Sequence, residues 1–279
     1  MIETEFLICP ICGSHLVKEG KSFLCTSQET KKRHCFDISS ARYVDLSYRS
    51  GGSGDPKDAV TDRTAFLDKG YYEPLSKEIN AICKKYLADE FLLVDAGCGE
   101  GYYSERVATE FPGAFVFGAD LSKHAVHRAS VRRNLRGGDN SFYAVSSIFS
   151  LPVAPNKADC FLSMFAPVAE DEVLRVLKDG GYLIIGAAGE NHLYDLKKSI
   201  YDEVHLNDER ADLPQKLLFV DKINVSYKAA IDNNEDLMRL FGMTPYRFRT
   251  SEKSMNILKS LTSLDVEVNV DFYIYRKML

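Results

Sequence analysis

The run FLLVD (91–95), followed at once by AGCGEG (96–101), constrains this chain more than any other feature. Four apolar residues ending in an acid have the length of a buried strand. Three alternating glycines, Gly97, Gly99 and Gly101, let the backbone turn sharply and approach a ligand where a Cβ would intrude. A helical pattern from about Tyr102 to Glu110 comes next, completing a strand, turn and helix. The alternation continues through AFVFGAD (114–120), a helix over 122–135, FYAVS, DCFLSMF (159–165), the short helix AEDEVLRVL and the strand YLIIGAA (182–188). This order predicts an α/β fold whose doubly wound sheet is mostly parallel. Two later segments, KINVSYK (222–228) and VEVNVDFYIYR (266–276), alternate with period two, the second placing Val266, Val268, Val270, Phe272 and Ile274 on one face. They read as late strands completing the same sheet, with an antiparallel member.

Upstream the texture differs. Residues 1–46 are rich in cysteine, SYRSGGSGDPKD (47–58) has the Gly/Ser composition of a flexible linker, and a helical pattern runs from Ala59 to Tyr86. The sequence therefore predicts a small N-terminal module over 1–46, a linker over 47–58 and one large domain over 59–279. A chain of 279 residues, 45% of them apolar, can bury such a core. Its net charge of -5 does not favour nucleic acid by itself, so any such role needs a local basic surface. MIETEFLICP shows no secretory pattern and the longest apolar runs are strand-sized, so no membrane role and a cytoplasmic location are expected. There thiols stay reduced, and clustered cysteines point to metal.

In dinucleotide-binding proteins the glycine spacing is usually G-x-G-x-x-G. Here Asp95-x-Gly97-x-Gly99-x-Gly101 resembles the class I S-adenosylmethionine (SAM) methyltransferases, which makes SAM the expected cofactor and the sheet Rossmann-like. Asp120, 23 residues beyond Gly97 at the end of the second strand, can accept both hydroxyls of a ribose. LKDGGYLI resembles that class's turn into its fifth strand, with Asp179 where proline is usual. Phe165, Ala166 and Pro167 end the fourth strand and would border the methyl-acceptor pocket. The D/N-P-P-Y/F sequence frequent in enzymes methylating exocyclic amines is missing there, which disfavours such an acceptor.

Cys9-x2-Cys12, Cys25 after twelve further residues, and then His34-Cys35 offer up to five soft or borderline ligands. Zinc takes four in a tetrahedron, and with four protein ligands the site is structural rather than catalytic. The residues leave open whether His34 or Cys35 is the fourth. Cys83, Cys98 and Cys160 are scattered and read as structural.

Together, C-P-I-C…C…H-C-F-D, V-D-A-G-C-G-E-G-Y-Y, the intervening AFLDKGYYEPL and the later H-L-Y-D-L-K…I-Y-D-E-V-H-L resemble the bacterial 23S rRNA guanine-N1 methyltransferases over nearly the whole chain. The resemblance implies a homodimer in which an N-terminal zinc domain precedes a Rossmann-like catalytic domain, methylating a guanine in a hairpin loop of 23S rRNA. Some members confer macrolide resistance and others are housekeeping enzymes. By position it implies Cys9, Cys12, Cys25 and His34 as zinc ligands. It places Glu100, Tyr102 and Tyr103 in the SAM loop and Asp120 at the ribose.

Guanine N1 bears a proton that must leave before its lone pair attacks a methyl group. His192, Asp195, Asp202, Glu203 and His205 are candidate bases, without a choice among them. Tyr71, Tyr72 and Phe165 are candidates to stack a splayed base. His124, Arg128, Arg132 and Arg136 recur at helical spacing and could follow phosphates, with smaller basic patches at KKRH (31–34) and YRFR (246–249). The rival expectations are a small-molecule SAM methyltransferase with a metal-stabilised lid and a non-catalytic zinc and RNA adaptor. The intact glycine motif argues against the second.

Overall fold

A computed structural model describes residues 5–27, 33–48, 52, 54–208 and 214–278. The N-terminal residues form a three-stranded antiparallel sheet of β1 (Leu16–Glu19), β2 (Ser22–Cys25) and β3 (Cys35–Asp37). A two-residue strand, β4 (Val44–Asp45), leaves this sheet and pairs in parallel with the far edge of the large one. Two helices follow, α1 (Lys57–Asp68) and α2 (Glu73–Tyr86). The single helical pattern over 59–86 is thus broken, because Gly70 adopts φ +84° and Pro74 in the first turn of α2 suits a new start. Helix α1 begins inside the stretch expected as linker, and the linker residues 49–51 and 53 lie outside the described residues.

The remaining elements are β5 (Leu92–Ala96), α3 (Tyr102–Glu110), β6 (Phe115–Asp120), α4 (Lys123–Arg136), β7 (Ser141–Val145), β8 (Ala158–Met164), α5 (Glu170–Val176), β9 (Leu177–Ala188), α6 (Tyr194–Ile200), β10 (Leu218–Ile231), α7 (Asn234–Gly242), α8 (Glu252–Ser260) and β11 (Leu264–Arg276). Local chemistry sets several boundaries. Ser122 Oγ caps α4 by accepting the Ala125 N–H, and Gly137 ends it at φ +74°. Strand β9 starts earlier than expected, since Leu177 pairs with Ala158 before the glycine pair is reached.

Among the described residues the large sheet has the order β10-β11-β9-β8-β5-β6-β7-β4. Strands β4 to β9 run in parallel, while β11 is antiparallel to both β9 and β10. This is the class I SAM methyltransferase arrangement with its antiparallel late strand. The inward face of β11 is the one its alternation indicates, with Val266, Val268, Val270, Phe272 and Ile274 all buried. Apolar side chains of the N-terminal segment continue into the main core: Phe6 packs 5.3 Å from Phe117 and Phe23 packs 5.6 Å from Phe142. Strand β5 has β6 on one side and β8 on the other, so successive connections diverge there and leave a crevice at the carboxyl ends of the strands.

Candidate functional site

That crevice is built by the glycine turn. The register Ala96↔Ala119 sets the ends of β5 and β6 side by side, and the Gly97 and Cys98 N–H groups both donate to Ala119 O, at 2.8 and 3.1 Å. Gly97 holds φ +85°, and a Cβ there would stand 2.7 Å from Ala166 Cβ. Gly101, at φ +74°, lets α4 approach, because its Cβ would meet Ala129 Cβ at 2.9 Å. The first glycine therefore admits the loop after β8 and the last admits a helix.

A cavity of about 360 Å³ lies over the turn. Of the expected cofactor residues, Asp95, Gly97, Gly99, Glu100, Tyr103 and Asp120 line it, as do all three acceptor-side residues, Phe165, Ala166 and Pro167. Gly101 and Tyr102 stand behind it, the Tyr102 ring covered by the Arg106 guanidinium at 3.6 Å.

The polar groups of the cavity are partly unsatisfied. Ser104 Oγ donates to Asp95 Oδ2, but Asp95 Oδ1 is buried and has no partner. Burial lifts the Asp95 pKa to about 7. Asp120 accepts the Gly99 N–H at 3.0 Å on one oxygen and the Ser122 N–H at 2.7 Å on the other, leaving lone pairs free on both. Burial raises its pKa, and those two N–H groups oppose the rise. An orphaned carboxylate oxygen beside a glycine cradle and a second carboxylate at the next strand end fit a ligand carrying both N–H and vicinal hydroxyl donors.

Arg63 completes this wall and has no local signal in the sequence. It donates from Nε to Glu100 Oε2 at 2.7 Å and from Nη1 to Asp55 Oδ2 at 2.5 Å, with Nη2 beside Gly99. Burial opposes its charge, but Glu100 and Asp55 outweigh it and raise its pKa. Only the spacing of 37 residues between Arg63 and Glu100 records their pairing, and such a separation predicts nothing.

The opposite wall is apolar: Tyr72, Met164, Phe165, Ala166, Pro167 and Met243. Phe165 is a non-glycine residue at φ +54°, a costly conformation of the kind that gathers at functional sites. Its ring is 44% exposed and stacks on His192 at 5.5 Å. Of the expected stacking residues, Tyr72 lines the cavity from a buried position, whereas Tyr71 stacks on Phe66 and donates to Asp236. Phe149, 64% exposed at the rim, is an aromatic that sequence reasoning passed over.

The candidate bases separate in space. His192 alone lies against this wall; burial and then Lys197 lower its pKa to about 4, and its Nδ1 accepts the Asn269 N–H at 3.3 Å. The ring is therefore neutral with its proton assigned to Nε2, which leaves that nitrogen a donor rather than a base. Asp195 Oδ2 accepts the Glu267 N–H at 2.9 Å, and Asp202, Glu203 and His205 are exposed.

The ligand atoms of Cys9, Cys12, Cys25 and His34 all lie within 4.8 Å of one another. His34 Nδ1 sits 3.5 Å from Cys9 Sγ and 3.6 Å from Cys25 Sγ, while Cys35 is exposed on β3 and stands outside the group. Three thiols and one imidazole converging on a point fit a tetrahedral soft-metal site.

The row on α4 that could follow phosphates is only partly available. Arg132 pairs with Asp68 and donates to Glu100 O at 3.1 Å, and Arg136 pairs with Glu105 at 2.6 Å, so both serve internal contacts while His124 and Arg128 remain exposed. Arg247 of YRFR pairs with Asp58 at 3.3 Å. Lys31 and Lys32 of KKRH lie outside the described residues. None of the described helices is long and apolar enough to cross a membrane.

Residues 89–258 match the family described as "Methyltransferase domain". The chain is similar to a Streptomyces fradiae protein named 23S rRNA (guanine(748)-N(1))-methyltransferase, 31% identical over 196 residues that make up 69% of this chain and 66% of that one. A Bacillus subtilis protein provisionally named a 23S rRNA (guanine-N(1)-)-methyltransferase is 25% identical over 99% of both chains. Among solved structures, the YcgJ protein of Bacillus subtilis is similar at 16% identity, covering 71% of this chain and 97% of that one with a TM-score of 0.47.

Proposed function

Since the chain belongs to the methyltransferase-domain family, in the company of its 23S rRNA (guanine-N1) methyltransferases, we propose that it methylates N1 of a guanine in a hairpin loop of 23S rRNA. The observation carrying this reading is one cavity that joins a glycine cradle and two strand-end carboxylates to an apolar wall with a strained, half-exposed phenylalanine.

Asp95, Gly97, Gly99, Glu100, Tyr103 and Asp120 would hold SAM, with Gly101 and Tyr102 shaping the turn from behind. When bound, SAM supplies an electrophilic methyl group on a sulfonium, so the bond from N1 to carbon forms as the bond from carbon to sulfur breaks. Asp120 takes the ribose hydroxyls on the lone pairs left by its two N–H contacts, and Asp95 Oδ1 accepts a donor from the cationic ligand. Phe165 and Phe149 stack the guanine, excluding water from its face. His192 donates from Nε2 toward the carbonyl oxygen next to N1, favouring the charge that develops there as the N1 proton leaves to water. Holding both reactants in line removes the orientational part of the barrier.

Cys9, Cys12, Cys25 and His34 would bind one structural Zn2+, contributing about 10 kcal/mol or more to the folding of a short segment. The module over 1–46 would help dock the RNA, the whole acting in the cytoplasm as a homodimer. The direct test supplies labelled SAM with unmodified 23S rRNA in one tube and with carboxylic-acid small molecules in another. Label on RNA alone supports this reading; label on the small molecules alone supports the rival.

A further inference from the structure

The seam between the β1–β2 hairpin and α4 holds a second cavity, of about 690 Å³. Lys18, Lys21, Arg42 and Arg133 line it against one acid, Asp139. Arg133 is the unusual member: its side chain is 1% exposed, its ion-pair partner is Asp139 at 3.1 Å, and that carboxylate is itself 76% exposed. Arg133 Nε and Nη1 are buried without hydrogen-bond partners. Leaving a buried guanidinium so poorly paired is destabilising; on the same helix Arg136 is held by Glu105, and Arg132, which leaves only Nη2 without a partner, pairs with Asp68 and donates to Glu100 O. Arg42 adds to the imbalance. It occupies φ +71° in a turn closed by its own N–H donating to Ser39 O at 2.8 Å, a conformation uncommon for a residue with a long side chain. Among the described residues Lys18, Lys21 and Arg42 show no ion pair with a carboxylate.

Four cations around one exposed acid call for an anion. The two lysines extend the charge out of the cavity along the hairpin, which suits a continuous polyanion better than a small free ion. We propose that this seam cavity binds a backbone phosphate of the RNA substrate, at a distance from the methylated base. The distance follows from α4: Arg133 is eleven residues beyond Ser122, which caps the helix beside Asp120, and at ~1.5 Å per residue that is about 16 Å along the helix. The phosphate engaged there belongs to the stem beside the loop. This inference rests on the reading of the protein as an RNA methyltransferase and gives that substrate a second anchoring point.

Arg133 is buried, so replacing it could unfold the chain; the exposed pair Lys18→Gln/Lys21→Gln is the useful variant. Its affinity for a fluorescent 23S hairpin with an intact stem is measured from 50 to 300 mM salt by anisotropy, alongside SAM affinity and melting temperature. The variant should bind the hairpin about tenfold more weakly, with the slope of log K against log salt reduced by about 1, near the 0.9 expected for one duplex phosphate no longer neutralised. SAM affinity and melting should stay as in the wild type. An unchanged slope and affinity, in a wild type that methylates RNA, overturns this inference and leaves the functional reading standing; a wild type that neither binds nor methylates RNA overturns both. A parallel titration with inorganic phosphate separates the sources. Saturable stabilisation of the wild type by phosphate, abolished in the variant while RNA binding is unchanged, would show a free-anion site and overturn the proposal.

Discussion

Gly97→Ala puts the glycine cradle to a quantitative test. At φ +85° an L-residue costs roughly 1–2 kcal/mol. The new methyl would also stand 2.7 Å from Ala166 Cβ, and overpacking of that kind typically costs about 1–3 kcal/mol. Together about 2–5 kcal/mol must be relieved by moving either the turn or the Phe165–Pro167 loop, both of which wall the cavity. At 1.4 kcal/mol per tenfold, SAM affinity should fall by about 30-fold or more. Calorimetric titration with SAM reads this directly. Gly137→Ala is the control, because Gly137 has a similar φ of +74° with nothing within 4 Å, and so bears the backbone cost away from the cavity. The control should lower the melting temperature and leave SAM binding alone. A Gly97→Ala protein that binds SAM within twofold of wild type would refute the role given to this turn.

Metal content should separate the adjacent pair at the end of the cysteine cluster: His34→Ala should lose its bound zinc to a chelator, while Cys35→Ser should keep one equivalent. Equal loss in both would contradict the four-ligand assignment. Because burial holds the Asp95 pKa near 7, the free enzyme should bind the cationic cofactor more tightly as pH rises from 6 to 8. Asp95→Asn should abolish that dependence, and a flat wild-type profile would count against the orphaned oxygen as a group that meets the cofactor. The pKa of His192 is shifted the opposite way, downward. Its folded pKa of about 4 lies below the usual 6.5, so the stability it contributes is complete above pH 6.5 and drains away as pH falls toward 4. The loss should approach about 3 kcal/mol at 1.36 kcal/mol per pKa unit, and urea unfolding at pH 7 and 4.5 should show a smaller loss in His192→Gln. Equal losses would mean the ring is not held neutral by burial.

The glycine turn and the strand ends were readable from sequence because each is set by residues adjacent in the chain: an apolar run, an acid, then glycines where no side chain fits. The alternation in β11 was equally plain, since period two leaves one buried face. Arg63 was not readable, because its partners Glu100 and Asp55 reach it only once α1 packs over the turn. The same blindness to long-range partners made Arg132 and Arg136 look available, although Asp68 and Glu105 occupy them. Strand β4 escaped notice for another reason: two residues carry no periodicity, and they are fixed by partners distant in sequence, the edge of β7 above all. Among the cysteines, spacing narrowed the fourth ligand to two neighbours, and the side-chain direction of His34 toward Cys9 and Cys25 separates them.

A methyl group on guanine N1 blocks the base-pairing edge, so reverse transcription reads guanine-N1 methylation directly. Unmodified 23S rRNA is incubated with the protein and SAM, then copied by primer extension and digested to nucleosides for mass analysis. One new SAM-dependent stop is expected, one nucleotide before a guanine in a hairpin loop, together with 1-methylguanosine in the digest. A SAM-binding protein that yields neither the stop nor that nucleoside would contradict the proposed activity.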